Sequence, residues 1–506
     1  MKVAREVTAL AGSAGVSPAL LQNMERCSFE TLQRSRRDAG APGPQRSGFS
    51  RVAEMEYRGK TVLIVGAARS GIAAARFLLA SGARVILTDT KRLEALPNIA
   101  PLLESPGFPG QLELELGGHR DQSFGRCDFI VVSPGVPLRL PEFETSRKAG
   151  IPILAEIELA YRHLKGKIIG ITGSNGKTTT TTLVSELLTG AGLRGHAAGN
   201  IGTPLIGFAA DSTPDDLYAV ELSSFQLESV DQFRPAIGSI LNLTPDHMDR
   251  YADFEDYIAA KQRIFLNQSK TDFAVLNFDD PRTAAIAARV QSTPVMFSRL
   301  AEVEEGAFVR NGMVIYRDAA GRKELFPVNA IPLKGAHNIE NVLAACAMSI
   351  LAGADPGSLE ESIRKFKGVE HRIEWVSDIN GVQYYNDSKA TNIDATIKSL
   401  ESFPGNLILI AGGRDKAGDF TVLRSLIRER VKHLVLIGEA SDKIQKALSG
   451  TVGMSEAQSM QEAVSICHGL AHPGDVVLLA PACASFDMFE DYEHRGRVFK
   501  EAVRRL

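Results

Sequence analysis

The chain has 506 residues, 44% of them hydrophobic and 23% charged, enough apolar material for about three domains of ~150 residues each. Its formal net charge of -3 is small for that length and argues against a nucleic-acid or anionic-membrane partner. Cys27, Cys127, Cys346, Cys467 and Cys483 form no close pair, which speaks for reduced cytoplasmic thiols over a disulfide frame or zinc site, and no apolar run reaches the ~18 residues a membrane helix needs.

Residues 1–54 carry AGAPGPQRSGFS and the cluster RSRRDAG and lack the charged and apolar regions of a secretory signal. They are expected to form a disordered extension, with Met55 as the natural start. Patterned sequence begins at Tyr57. A first domain is expected over 55–152: TVLIVGAARSG is a buried strand feeding a glycine turn, IAAARFLLASG a helix, and ARVILTD, LELELGG and CDFIVVSPG further strands. This alternation predicts a parallel α/β sheet of Rossmann-like form. Gly66 to Gly71 with Asp89 imitates a dinucleotide fingerprint, but Ala68 replaces the middle glycine that lets a pyrophosphate approach closely. A dehydrogenase reading therefore stays open but weak.

The second domain is expected over 153–367. The strand KIIGITG runs into TGSNGKT and a helix from Lys177 to about Ala191. Gly173 and Gly176 let backbone amides curl around phosphate oxygens, with Ser174, Asn175 and Thr179 in or beside the loop. Lys177 adds a mobile charge, the helix N-terminus its dipole, and Thr178 a hydroxyl for magnesium. The strict nucleotide-loop pattern asks for glycine at position 171, where Ile171 stands. LYAVELSSF, IGSILNLTPDH and TDFAVLNFDD read as strands, YIAAKQRIF and HNIENVLAACAMSILAG as helices, and residues 303–329 as hairpins. Glu221, His247 and Lys261 follow or sit on these elements. A lone helical lysine is ordinarily a solvated face and single Glu or His residues after strands ordinarily tie loops; spacing alone does not join them.

The third domain, over 368–506, shows VQYYNDS, NLILIAGG, HLVLIGE and DVVLLAPA as strands, each ending at a glycine or polar turn, again a doubly wound, Rossmann-like pattern. The fold class expected is thus α/β in three domains, the central one resembling a P-loop ATPase with a mainly parallel sheet.

TGSNGKTTT, AGNIGTP, ELSSFQLE, LNLTPDHMDRY and AAK, followed by GAHNIENVLAA, GVEHRIE, NDSKATN, GGRDKAGDF, APACASFD and YEHRGRVF, resemble the Mur ligases of peptidoglycan synthesis across residues 57–506. NDSKATN, GGRDK and CASFDMF resemble the member that adds D-glutamate to UDP-N-acetylmuramoyl-L-alanine. Folylpolyglutamate synthases share only the central motifs. The resemblance implies a cytoplasmic ATP-dependent ligase that phosphorylates a carboxylate, captures the acyl phosphate with an amine and expels phosphate from a tetrahedral intermediate. It implies catalytic roles for Lys177, His247 and Lys261. Two Mg2+ sites follow, one at Thr178 and Glu221, the other at His247 and a Lys261 carbamylated by carbon dioxide. Asn341, Arg372 and Asp387 are implied to meet ATP. Ser70, Asp89, Thr90, Lys91, Asn200 and Ser223 are implied to meet the UDP substrate, with Lys91 where an arginine is expected. Thr391, Lys416, Ser485 and Tyr492 are implied to receive D-glutamate. Closure of the third domain about residues 366–369 is expected. A P-loop kinase or regulator without ligation would leave Lys261 and the third domain unexplained. No nucleic-acid, membrane or obligate protein partner is expected.

Overall fold

The computed structural model describes residues 57–103, 108, 110–248 and 250–506; the extension expected over 1–54 and the start at Met55 lie outside them. The described chain forms two compact units, one ending at His163 and including Ala285–Val290, the other holding Leu164–Ala284 and Gln291–Leu506.

In the first unit, β1 (Thr61–Val65), β2 (Arg84–Asp89), β3 (Gln111–Leu116), β4 (Phe129–Val132) and β5 (Ile153–Ala155) form a parallel sheet in the order β3-β2-β1-β4-β5. That order reverses beside β1, the topology of a nucleotide-binding Rossmann-like sheet. Val62 to Val65 are all buried, as a strand covered on both faces requires. Because β5 pairs with β4, this sheet runs past the boundary expected at residue 152.

The second unit carries two sheets. The larger holds β6 (Lys167–Thr172), β7 (Arg194–Gly199), β8 (Asp216–Glu221), β9 (Ile237–Ile240), β10 (Phe273–Asn277), β11 (Thr293–Ser298), β12 (Gly306–Arg310), β13 (Met313–Asp318) and β14 (Gly321–Pro327). Their order is β14-β13-β12-β11-β10-β9-β6-β8-β7, with β6 to β12 parallel and β13 and β14 antiparallel, the hairpins read from the turn residues. Helices Lys177–Gly190 and Ala336–Leu351 share one core with this sheet, through Leu183, Leu187, Leu343 and Met348. The other sheet holds β15 (Glu374–Ile379), β16 (Val382–Asn386), β17 (Leu407–Gly412), β18 (Val431–Ile437), β19 (Gly453–Ala457) and β20 (Val476–Leu479), in the order β15-β16-β20-β17-β18-β19. Along β17 the side chains alternate between two cores: Leu407, Leu409 and Ala411 enter one, Ile408 and Ile410 the other. Two-sided burial is what a doubly wound sheet demands.

Candidate active site

The glycine turn, Lys177 and Thr178 stand together at the carboxyl end of β6. Gly173 has φ +152° and Gly176 φ +83°, a conformation that favours glycine, and a Cβ on Gly176 would lie 2.2 Å from Asn341 Oδ1. The loop is braced by its neighbour after β9: Ser174 Oγ donates to the Thr244 carbonyl (2.7 Å), and the Asn175 amide donates to Asn242 Oδ1 (2.8 Å). Gly176 caps helix Lys177–Gly190, whose first amides and dipole face the loop.

Lys177 Nζ folds back onto the carbonyls of Gly173 and Ser174, at 2.8 Å each. The Thr178 hydroxyl donates to Glu221 Oε2 (2.7 Å) and accepts from Arg372 Nη2 (3.0 Å). Glu221 is 1% exposed, and its other oxygen accepts from Asn200 Nδ2 at 3.0 Å. The expected pairing of Thr178 with Glu221 is therefore present, with Asn200 and Arg372 at its two ends. A buried carboxylate beside a hydroxyl at a phosphate loop offers the hard oxygen donors magnesium takes.

Lys261, on helix Phe254–Gln262, is 2% exposed. Its Nζ donates to the same Gly173 carbonyl at 2.9 Å and to Thr172 Oγ1 at 3.3 Å, and lies 4.6 Å from the Tyr257 ring centre. The Asp246 and Glu221 charges act on it against the effect of burial. Burial, with the Lys177 charge adding to it, drives its pKa well below the ordinary lysine value. Burial likewise lowers that of Lys177. A neutral amine is a nucleophile for carbon dioxide, and the carbamate so formed would put oxygens where the bare amine offers no anionic donor. The residues thus fit a second metal position on the chemistry of their donors.

Asp246, inside LTPDH, joins this group without having been singled out by its sequence pattern. Burial pushes its carboxyl upward, but His247, Lys416, Lys177 and Lys261 more than offset that and hold its pKa below the usual range. His247 has φ +57°, packs edge-on against Phe225 at 4.9 Å between centres, and keeps Nε2 3.6 Å from Asp246 Oδ2.

A pocket opens beside Gly176, lined by Asn175, His337, Asn341, Arg372, Asp387 and Ser399 among others. Asn341, Arg372 and Asp387 were expected at a nucleotide; His337 and Ser399 were not. Among the described residues, the buried Arg372 Nε has no hydrogen-bond partner, which leaves a donor for a ligand. Burial raises the Asp387 carboxyl to about 6, against the lowering influence of the Ser399 hydroxyl and Arg372.

Of the residues expected at the amino acid, Thr391, Lys416 and Ser485 stand on three loops at the carboxyl end of the last sheet, and Tyr492 opens helix Tyr492–Arg504. Backbone bonds join the loops: Ala482 N to Ala390 O (2.9 Å), and Arg414 N to Ala484 O (2.9 Å) with its reciprocal. Thr391, Lys416 and Ser485 sit one or two residues from these bonds. Lys389 Nζ lies 3.5 Å from the centre of the Tyr492 ring, and burial lowers it to about 7. The Tyr492 hydroxyl donates to Glu493 Oε1 at 2.8 Å.

In the first unit, Asp89 ends β2 and accepts from the amides of Ala67 (2.7 Å) and Lys91 (2.8 Å). It ties the glycine turn to the residues after β2. Thr90 and Lys91 beside it are exposed, and Ser70 lies in the first turn of helix Arg69–Ala80. A Cβ on Gly71 would sit 1.9 Å from the Gly66 carbonyl oxygen, so this glycine serves close helix–turn packing. Ser223 has a structural duty the sequence did not reveal: its hydroxyl and the Gln226 side chain make a capping box on helix Ser224–Leu227.

Three family models match the chain: the Mur ligase MurD-like N-terminal domain over residues 60–155, the Mur ligase middle domain over 171–349, and the Mur ligase glutamate ligase domain over 371–483. The UDP-N-acetylmuramoylalanine--D-glutamate ligase of Koribacter versatilis is 50% identical over 452 residues, covering 89% of this chain and 99% of that protein. The ligase of the same name from Acidobacterium capsulatum is 50% identical over 451 residues, 89% and 97% of the two chains. Among solved structures, a pseudomurein peptide ligase type C from Methanothermus fervidus has the same fold, with TM-score 0.56 at 18% identity over 88% of this chain and 99% of its own. So does the UDP-N-acetylmuramate-alanine ligase of Thermotoga maritima, with TM-score 0.56, 18% identity and the same coverage.

Proposed function

The chain belongs to the Mur ligase family, and we propose that it is the ATP-dependent ligase that adds D-glutamate to UDP-N-acetylmuramoyl-L-alanine in the cytoplasmic synthesis of peptidoglycan precursors. The observation that carries this reading is the convergence of Lys177, Thr178, Glu221, Asp246 and Lys261 on one phosphate loop, beside loops of the last sheet that hold Lys389, Thr391 and Lys416. A kinase needs the first group alone. A ligase needs both, because the activated acid must meet an amine.

The Lys177 ammonium and the loop amides bind the β- and γ-phosphates of ATP and offset charge that develops on transfer. Thr178 and Glu221 would hold one magnesium ion; Asp246, His247 and a carbamate on Lys261 would hold the other. Bound there, the metal supplies Lewis-acid neutralisation of phosphate charge. The substrate carboxylate oxygen attacks the γ-phosphorus, the bond to the β-phosphate oxygen breaks, and ADP leaves. The amine of D-glutamate adds to the acyl phosphate carbon, the tetrahedral intermediate expels phosphate, and the amine's surplus proton passes to solvent. Asn341, Arg372 and Asp387 hold the nucleoside end. Ser70, Asp89, Thr90 and Lys91 serve the uridine diphosphate portion, and Asn200 and Ser223 the polar groups nearer the reacting acid. Thr391, Lys416, Ser485 and Tyr492 receive D-glutamate, where the lysine suits a ligand with two carboxylates. The domains proposed are 55–152, 153–367 and 368–506.

The test is phosphate release with ATP, Mg2+ and UDP-N-acetylmuramoyl-L-alanine, offering D-glutamate, L-glutamate or diaminopimelate in turn. Release that depends on D-glutamate supports the assignment; release specific to another acceptor removes it. The same assay with no acceptor, yielding a stable phosphorylated product, would favour a kinase.

A further inference from the structure

Asp394 stands in the first turn of helix Ile393–Glu401, which belongs to the last sheet's layer and is capped by Asn392. An acidic side chain there ordinarily does no more than complement the helix dipole. Here its Oδ2 accepts from Asn175 Nδ2, at the tip of the phosphate loop, and from Thr244 Oγ1 at 3.1 Å. Lys398 Nζ donates to the same oxygen at 2.9 Å. Asn175 and Thr244 are themselves the two sides of the brace that shapes the loop, through Asn242 and Ser174. One oxygen therefore ties the helix to both segments that present the phosphate-binding amides and Asp246.

The tie has a consequence for the nucleotide pocket. Asn175, Gly176, Thr179, His337 and Asn341 come from the larger sheet's layer, while Arg372, Asp387, Ala395, Lys398 and Ser399 come from the other. Ala395 and Lys398 ride on the helix that Asp394 anchors. The pocket has both walls only while that helix is docked on the loop.

We propose that Asp394 is a positioning residue that latches the last sheet's layer onto the phosphate loop and so assembles the nucleoside pocket; this deepens the ligase reading and rests on it for the identity of the reaction. The latch is a set of hydrogen bonds to a partly buried carboxylate, strong enough to bias docking yet breakable when the product nucleotide must leave. Removing one charged hydrogen-bonding partner ordinarily costs about tenfold or more in an equilibrium.

The experiment compares wild type with Asp394→Ala, Asp394→Asn and Asn175→Ala, and the double variant N175A/D394A. It measures binding of a non-hydrolysable ATP analogue by calorimetry, then KM for ATP and kcat in the ligase assay, with circular dichroism melts to confirm folding. D394A is expected to weaken analogue binding about tenfold and raise KM for ATP in parallel. D394N, which still accepts from Asn175 or Thr244, is expected within about threefold of wild type. The double variant is expected to fall short of the summed single effects, as coupled partners do. Wild-type affinity and KM in D394A, or strict additivity of the two changes, overturns the proposal. If D394A does not fold, a D394N protein with the affinity of N175A does so equally. Binding that follows the predicted order in a protein that joins no D-glutamate would sink the ligase reading and leave the latch standing.

Discussion

Replacing Lys261 with alanine separates what this side chain does for the fold from what it does for the reaction. Its ammonium would share the Gly173 carbonyl with that of Lys177, at 2.9 and 2.8 Å. Two cations drawn to one carbonyl repel each other. That repulsion, added to burial, forces the amine towards neutrality. Loss of the three buried methylenes beyond Cβ costs about 2.4 kcal/mol at ~0.8 kcal/mol per methylene. The variant is therefore expected to fold with a melting temperature lower by a few degrees. Turnover is expected to fall far more, by about a thousandfold or ~4 kcal/mol, the scale of losing a charge-stabilising group at a phosphoryl transfer. The assay is steady-state phosphate release, with intact mass and a melt on the same sample. In decarbonated buffer the wild type should slow and recover on adding bicarbonate, because the unprotonated amine takes up carbon dioxide. Small carboxylates should restore part of the alanine variant's activity. Wild-type turnover in Lys261→Ala, or indifference to bicarbonate at every pH, would refute the carbamate.

Asp387 gives a stability test whose sign follows from its raised pKa. With a folded value of about 6 against the ordinary carboxyl value of 3.8, the folded state binds the extra proton between those limits, so this group's contribution falls as pH rises through about 4 to 6. Asp387→Asn should raise stability at pH 7 by up to about 3 kcal/mol, with a higher melting temperature, and leave it nearly unchanged near pH 4. Weaker nucleotide binding by the same variant would mark the functional cost. Glu221→Gln should leave the fold intact and lower kcat by about a hundredfold or more in phosphate release, with the deficit shrinking as Mg2+ is raised; an unchanged rate at low Mg2+ contradicts the assignment. Closure of the last domain on adding ATP analogue and muramoyl substrate should shrink the radius of gyration in small-angle scattering. The segment expected to act as the hinge, residues 366–369, contains Gly368 at φ +81°. Identical curves with and without ligands count against hinge motion.

The strands that sequence pattern made legible are those buried on both faces. VLIV in β1, KIIGIT in β6 and LILI in β17 are β-branched or leucine runs ending at a turn. The strands it passed over are mostly at the edges of their sheets. β7 reads RGHAAG, β15 EWVSDI and β19 GMSEA, and the first and last end their sheets' parallel series. An edge strand need not bury both faces, so it carries no apolar run to find. β11, inside its sheet, was hidden by Pro294.

The site divides in the same way. Lys177 and the glycines were legible because a phosphate loop fixes residue types at fixed spacing. Glu221, His247 and Lys261 needed the family resemblance, since they come from three separate elements and spacing along the chain does not join them. Asp246 was overlooked beside His247 because one acid after a strand has many ordinary uses. Asp394 with Lys398 reads as a solvated i,i+4 pair, and nothing along the chain says that Asn175, far away in sequence, lies across from it.

The central claim is that an acid is phosphorylated and then captured by an amine, and oxygen-18 follows it most directly. UDP-N-acetylmuramoyl-L-alanine labelled in its alanyl carboxylate is incubated with ATP, Mg2+ and D-glutamate, and the released phosphate is analysed by mass spectrometry. If the acid attacks the γ-phosphorus, one labelled oxygen leaves with phosphate for each amide formed. Phosphate free of label, in a reaction that makes the amide, would contradict the account.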